Sequence, residues 1–317
     1  MPSPIYVTEA EVAHLVTVKD AIDALATMFS TWDDAGTTNL PRRRARLRDG
    51  SLNLMGAAYG AKGVHGLKVY AGMKGAQFHM LLYSSLDGRL KAMIEADLFG
   101  QLRTGAASGL ATRHMANPDA HTLAVIGTGK QARTQAVAVC AVRPIKRVFV
   151  YSPTAEHRKV FAREVERELH IETSDAPSAQ ACVAGANVVV TITKAAQPVC
   201  LARWLGEGVH VNAAGANAAD RREIDEEMVL RASVKATDHI EQAKLEAGEY
   251  RDLVEAGKLS WTDIRELGQF VTAKARGRNA PSDLTLFKSL GIALEDVAFA
   301  EVVYERALAR GVGRPIG

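Results

Sequence analysis

Aromatic residues make up only 6% of this 317-residue chain, and none is interleaved with its one dense basic run. Base-stacking platforms for single-stranded nucleic acid need that interleaving. A formal net charge of +3 is small for this length, so it points neither to nucleic acid nor to an anionic membrane. Cysteine occurs three times, at Cys140, Cys182 and Cys200, with no C-x-x-C. An odd, scattered set implies neither a disulfide framework nor a zinc site and fits a reducing compartment. No apolar run is long enough to span a bilayer. The N-terminus carries Glu9 and Glu11 and lacks the apolar core of a signal peptide, so a cytoplasmic protein is expected. The nine histidines show no H-E-x-x-H, so no metal is expected. The absence of G-x-S-x-G argues against a serine hydrolase.

The chain is too long for one typical core, and two domains are expected. The most informative stretch is Thr122-Leu-Ala-Val-Ile-Gly-Thr-Gly-Lys-Gln-Ala132. Thr122–Ile126 suits a buried strand. Gly127, Gly129 and Ala132 stand in the spacing G-x-G-x-x-A, and a helical alternation follows to Val142. This is the strand–turn–helix of a dinucleotide-binding unit. Gly127 allows the turn, Gly129 lets a pyrophosphate approach the backbone, and Ala132 lets the helix pack on the sheet. The helix N-terminus then faces the phosphates with free N–H groups.

Upstream, Thr8-Glu-Ala-Glu11 reads as a capping box, and an apolar stripe predicts a helix over Val18–Trp32. Short β-like segments follow at Ser51–Met55, His65–Tyr70 and Gln77–Tyr83. Asp87-Gly88 marks a hairpin returning along Leu90–Glu95. Asp97 is placed to cap a helix to about Met115, which Asn117-Pro118 ends. The first domain therefore reads as α+β with a mainly antiparallel sheet. After Ala132, strands at Arg147–Tyr151, Val188–Thr193, Val209–Ala213 and Val234–Thr237 alternate with helices, a doubly wound α/β pattern. Glu241–Leu267 reads as short helices, and a long helix is expected over Leu294–Leu308.

Three basic elements precede the glycine loop. Residues 42–48 contain five arginines. On a strand, Arg42, Arg44, Arg46 and Arg48 would share one face. The plainer reading is a solvated edge that resists aggregation; the sharper one is a carboxylate pocket. Lys68 has apolar flanks and either points to solvent or faces a pocket, where burial would lower its pKa and make it a usable acid or base. Arg103 lies on a helix of small residues, which permit close approach of another element or a ligand.

Several segments carry a resemblance. Gly66-Leu-Lys68, Gln101-Leu-Arg-Thr-Gly-Ala-Ala107, Ile126-Gly-Thr-Gly-Lys-Gln-Ala132, Asn212-Ala-Ala-Gly-Ala-Asn217, Arg222-Glu-Ile-Asp225 and Thr285-Leu-Phe-Lys-Ser-Leu-Gly-Ile-Ala-Leu-Glu-Asp296 run in order over nearly the whole chain. In these the chain resembles the ornithine cyclodeaminase/mu-crystallin family, which includes archaeal-type alanine dehydrogenases and ketimine reductases. The resemblance implies a substrate-binding and dimerisation domain (1–117, rejoined by 294–317), a Rossmann-type domain (118–293) and an active site in the cleft between them. It implies a homodimer acting on a small imino or oxo acid with NAD(H) or NADP(H). Lys68 would exchange a proton with the substrate. Arg103 and one arginine of the basic run, Arg44 with Arg42 in reserve, would hold its carboxylate. Glu241 matches a family glutamate near the ligand. The expected cofactor contacts are Gly127, Thr128, Gly129, Gln131, Ala132, Ser152, Thr191 and Ser289.

Two departures sharpen this expectation. Cyclodeaminase and alanine dehydrogenase members carry a catalytic aspartate in a G-x-D-x-P-G pattern. Here Asn217 stands in the equivalent run, and an amide cannot accept a proton as a carboxylate does. Cyclodeamination suffers most from that loss, whereas mu-crystallin, a ketimine reductase, resembles this chain in lacking the aspartate. Asp220 is the nearest alternative acid. At the tip of the second Rossmann strand, Ser152-Pro153 stands where NADP-using members often carry Asn-Arg-Thr. Arg158 is either a 2′-phosphate ligand or a surface residue, which leaves NAD against NADP open. The expected activity is reduction of an α-imino acid. The alternatives are an ornithine cyclodeaminase with bound NAD and a crystallin-like binding protein with little turnover.

Overall fold

The computed structural model describes residues 3–73 and 75–316. In chain order, the first strands and helices are β1 (Ile5–Val7), α1 (Glu9–Leu15), α2 (Val18–Ser30), β2 (Thr38–Asn39), β3 (Arg43–Leu47), β4 (Gly50–Tyr59), β5 (Val64–Ala71), β6 (Phe78–Ser84), β7 (Leu90–Glu95) and α3 (Asp97–Met115). Then follow β8 (Thr122–Ile126), α4 (Ala132–Cys140), β9 (Arg147–Tyr151), α5 (Ala155–Leu169), β10 (Glu172–Asp175), α6 (Ala179–Val183), β11 (Val188–Thr191), β12 (His210–Ala213), α7 (Glu226–Arg231), β13 (Val234–Thr237), α8 (Ile240–Glu246) and α9 (Gly248–Glu255). The last are β14 (Ile264–Glu266), α10 (Leu267–Val271), β15 (Thr285–Lys288), α11 (Ala293–Arg310) and β16 (Arg314–Pro315).

The chain divides into two compact units, Met1–Arg103 with Gly291–Gly317, and Thr104–Leu290. The division thus falls at 103/104 and 290/291 rather than the expected 117/118 and 293/294. The first limit lies inside α3 because the C-terminal part of this helix packs within the second unit. A Cβ on Gly105 would lie 2.4 Å from the Thr134 carbonyl oxygen. Thr104 O accepts from Gln135 Nε2 at 3.2 Å, and Thr112 Oγ1 accepts from Asn212 Nδ2 at 3.0 Å. The small residues of α3 are what permit this approach.

In the first unit one sheet runs β16-β1-β7-β6-β5-β4-β2, with β3 paired to β4. It is antiparallel except for β1, which lies parallel to β7. Helix α11 packs on β4, β5 and β6, with α2 against it. The capping box of α1 forms as its sequence predicts: Thr8 Oγ1 accepts from Glu11 N, and Glu11 accepts from Thr8 N. Helix α3 begins at Asp97, but its cap comes from elsewhere. Glu9 accepts hydrogen bonds from the amides of Asp97 and Leu98 at 2.5 and 2.8 Å, a carboxylate placed against the positive end of the helix.

The second unit holds a sheet of order β10-β9-β8-β11-β12-β15-β13-β14, in which every pairing is parallel. Strands β8, β11, β12 and β15 are buried along their whole length. Apolar layers on both faces explain the nearly continuous hydrophobic runs of β8 and β11. The chain leaves β8 toward β9 on one side and later returns to β11 on the other. That reversal is a topological switch point, where open α/β sheets bind ligands at the carboxyl ends of their strands.

Candidate active site

Burial along β5 alternates, and the inward positions are Val64, Gly66 and Lys68. A strand's period of two therefore sends the Lys68 ammonium into the face that α11 covers. There Lys68 Nζ donates to Asp296 Oδ1 at 2.7 Å. Arg103 Nε donates to the same oxygen at 2.8 Å, and its Nη1 reaches Glu295 Oε2 at 3.2 Å. Lys68, Arg103, Glu295 and Asp296 are all at most 5% exposed. A fifth buried charge, Arg42, donates from Nη2 to the carbonyl oxygen of Gly291 at 2.9 Å. Gly291 has φ +71°, and a Cβ there would lie 2.2 Å from Arg103 Nη1. The glycine that precedes α11 thus lets the guanidinium pass and offers its carbonyl to Arg42.

Arg103 and Arg42 both lie against Gly291, and guanidinium groups suit an incoming carboxylate. Burial pushes the Lys68 ammonium down from 10.5 to about 7, and the Arg103 charge pushes the same way. Asp296 opposes both, while Arg42 adds to the lowering. A lysine balanced near neutrality can both give and take a proton.

The basic run does not behave as the shared-face reading expects. Arg42 lies before β3 and is buried, whereas Arg44 lies on β3 and is exposed. All of β3 is exposed, Arg44 with it, and of the basic run it is Arg42, in the segment ahead of β3, that is buried against Gly291. Glu295, Asp296 and Gly291 were not singled out as site residues by sequence reading, although all three stand in the quoted Thr285–Asp296 segment. Two acids within an otherwise apolar helical run are the signal that was available.

In the second unit the carboxyl ends of β8, β9, β11 and β15 carry the nucleotide candidates. Gly127 has φ +114°, its amide donates to Tyr151 O at 2.8 Å, and a Cβ there would lie 2.4 Å from Ile192 O. Only glycine lets the loop cross so close to the next strand. At Gly129 a Cβ would meet nothing within 4 Å, so open space lies above the turn. The amides of Thr128, Gly129 and Gln131 donate to no group among the described residues, and Ala132 is buried at the start of α4. Thr191 is fully buried with its hydroxyl unpartnered. Ser152 and Ser289 are buried at the ends of β9 and β15. Free amides, an open approach and an orphaned hydroxyl suit a dinucleotide pyrophosphate.

Asn217 is exposed on the loop after β12, as is Asp220. Glu223 orders the start of that loop. Its carboxylate accepts from Thr193 N and Oγ1 at 2.6 and 2.8 Å, and from Gly215 N and Ala216 N at 2.6 and 3.0 Å. Glu241 is exposed and paired with Lys244. Among the described residues no group of three His, Cys, Asp or Glu is placed to hold a metal, and no helix is long and apolar enough to cross a membrane.

The chain is similar to several known proteins. Delta(1)-pyrroline-2-carboxylate reductase of Bacillus cereus is 35% identical over 238 residues, 75% of this chain and 73% of that protein. The reductase of that name from Thermococcus litoralis, solved with NADH and L-proline, superposes with a TM-score of 0.94 at 29% identity, covering 98% of this chain and 100% of the other. An archaeal alanine dehydrogenase dimer with bound NAD gives a TM-score of 0.92 at 31% identity, over 100% and 99% of the two chains. The family profile for the ornithine cyclodeaminase/mu-crystallin family matches residues 3–311, and the chain belongs to that family.

Proposed function

We propose that this protein reduces α-imino acids with a nicotinamide dinucleotide. The observation that carries this reading is the buried Lys68, poised near neutral pH and sharing Asp296 Oδ1 with Arg103. Arg103 and Arg42 bind the substrate carboxylate, Arg103 through its planar fork. Lys68 delivers or hydrogen-bonds the proton at the imine nitrogen, and Asp296 keeps the ammonium directed. The cofactor, when bound at the glycine turn, supplies hydride for the imine carbon. Positioning and charge, rather than a covalent enzyme intermediate, provide the rate. The reductases of Bacillus cereus and Thermococcus litoralis support the reaction class.

Asn217 favours imine reduction over cyclodeamination, because its amide cannot serve as the base that ammonia expulsion needs. The protein acts as a homodimer. Exposed Leu40, Leu47, Leu54 and Met73 on and beside β3 and β4 provide apolar surface for a second copy, and the archaeal alanine dehydrogenase is a dimer. Three free thiols suit a reducing, cytoplasmic setting. The test is a panel of NADH and NADPH oxidation assays with 2-oxo acids plus ammonia or methylamine, and with cyclic imines. A parallel incubation contains ornithine and NAD+. Oxidation with at least one imine and no proline from ornithine is the expected result. Proline formed at an enzymatic rate would replace this reading with cyclodeamination and direct attention to Asp220.

A further inference from the structure

The corner after β9 is where a Rossmann-type sheet distinguishes its two dinucleotides. An acid there binds the ribose 2′-OH of NAD, and a basic group accepts the 2′-phosphate of NADP. The connection from β9 to α5 here is Ser152-Pro153-Thr154 and contains no acid. The neighbouring strand supplies one. Asp175 ends β10 and lies in register with Val150 of β9. Its Oδ2 accepts from Arg158 Nε at 3.1 Å. Arg158 stands in the first turn of α5 and also donates from Nη1 to the Ser152 carbonyl oxygen at 3.2 Å. Its guanidinium lies 5.9 Å from the centre of the Tyr151 ring. The pair is mostly shielded, with side-chain exposures of 16% for Arg158 and 32% for Asp175. The Arg158 guanidinium is thus held by Asp175, the Ser152 carbonyl and the Tyr151 ring.

We infer that the Arg158–Asp175 pair selects the dinucleotide, Asp175 engaging the guanidinium that would otherwise receive a 2′-phosphate, so that the protein prefers NAD(H). An incoming phosphate must displace a carboxylate already bonded to Arg158 and then lies beside it, like charge against like charge. A ribose 2′-OH meets neither obstacle, and the Asp175 carboxylate can accept a hydrogen bond from it. This inference rests on the dinucleotide reading of the glycine turn but not on the imino-acid reading.

The test is direct binding of NADH and NADPH, followed by nicotinamide fluorescence without substrate, in the wild-type protein, Asp175→Asn and Arg158→Gln. In the wild type NADH should bind more tightly. Asp175→Asn keeps the shape but frees the guanidinium, so the ratio of NADPH to NADH affinity should rise about tenfold, the scale of one hydrogen bond to a charged group. Arg158→Gln leaves the carboxylate without its partner, and the ratio should fall below that of the wild type. The double variant should lose the gain made by Asp175→Asn, which shows that the gain passes through Arg158. Circular dichroism checks the fold of each protein. A ratio unmoved by Asp175→Asn in a folded protein that binds NADH overturns the inference alone. Wild-type protein that binds neither dinucleotide overturns the glycine-turn reading with it.

Discussion

Replacing Lys68 with methionine separates a catalytic lysine from a structural one, because the two roles predict opposite balances of stability and rate. Lys68 is 3% exposed, and its ammonium is lowered from 10.5 to about 7. A folded-state value below the unfolded one means that the unfolded chain binds the proton more tightly. Folding therefore bears the full cost of the buried charge below pH 7, and that cost fades as pH rises from about 7 toward 10.5. At 1.36 kcal/mol per unit, it is roughly 5 kcal/mol on the acidic side of the window. Methionine has similar length and no charge, and Asp296 keeps its bond from Arg103 at 2.8 Å. Apolar replacement of a buried ion-pair partner is tolerated when the remaining charge stays paired. Lys68→Met should hold or raise Tm by a few degrees while kcat for imine reduction falls about 10²-fold or more, as for loss of a general acid. Differential scanning calorimetry and steady-state kinetics read the two quantities. In the wild type, reduction should decline as pH rises through about 7 and the lysine loses its proton. A folded Lys68→Met protein with near-normal turnover would reduce Lys68 to a strand residue and refute the mechanism. A fall of many degrees in Tm would refute the claim that the buried charge costs stability.

Arg103→Lys keeps the charge but cannot reach both Asp296 and Glu295 from one planar fork, so KM for the imino acid should rise at least tenfold, with cofactor affinity unaltered in a fluorescence titration. Gly291→Ala places a methyl group against Arg103 Nη1 at a left-handed backbone position; it should raise KM similarly and cost about 1–2 kcal/mol in denaturant unfolding, and unchanged kinetics would show that Arg103 needs no room there. Gly129→Val should fold normally, since nothing stands within 4 Å of its Cβ, yet abolish cofactor binding by filling the pyrophosphate approach; retained affinity would move the cofactor away from this turn.

What the sequence determined by itself is mostly local. The buried strand, glycine turn and helix of Thr122–Cys140 follow from neighbouring residues, because turn chemistry and hydrophobic period act over a few positions. For the same reason β7, β9, β13 and α3 lie where sequence places them, as does the capping box of Thr8 and Glu11. Lys68 and Arg103 stood out by their contrast with apolar and small neighbours. Tertiary structure decided which charges meet. Asp296 lies 228 residues from Lys68 and 193 from Arg103, and no local pattern couples such positions. Strand periodicity puts Arg42 and Arg44 on one face, but Arg42 precedes the strand, so the segment leading into β3 decides which of them is buried. Strand order was likewise beyond local reading: the parallel addition of β1 to β7 and the place of β15 between β12 and β13 depend on long-range pairing. Asp175 illustrates the same limit at the cofactor corner. Parallel pairing brings the end of β10 beside β9, and only that register sets its carboxylate against Arg158.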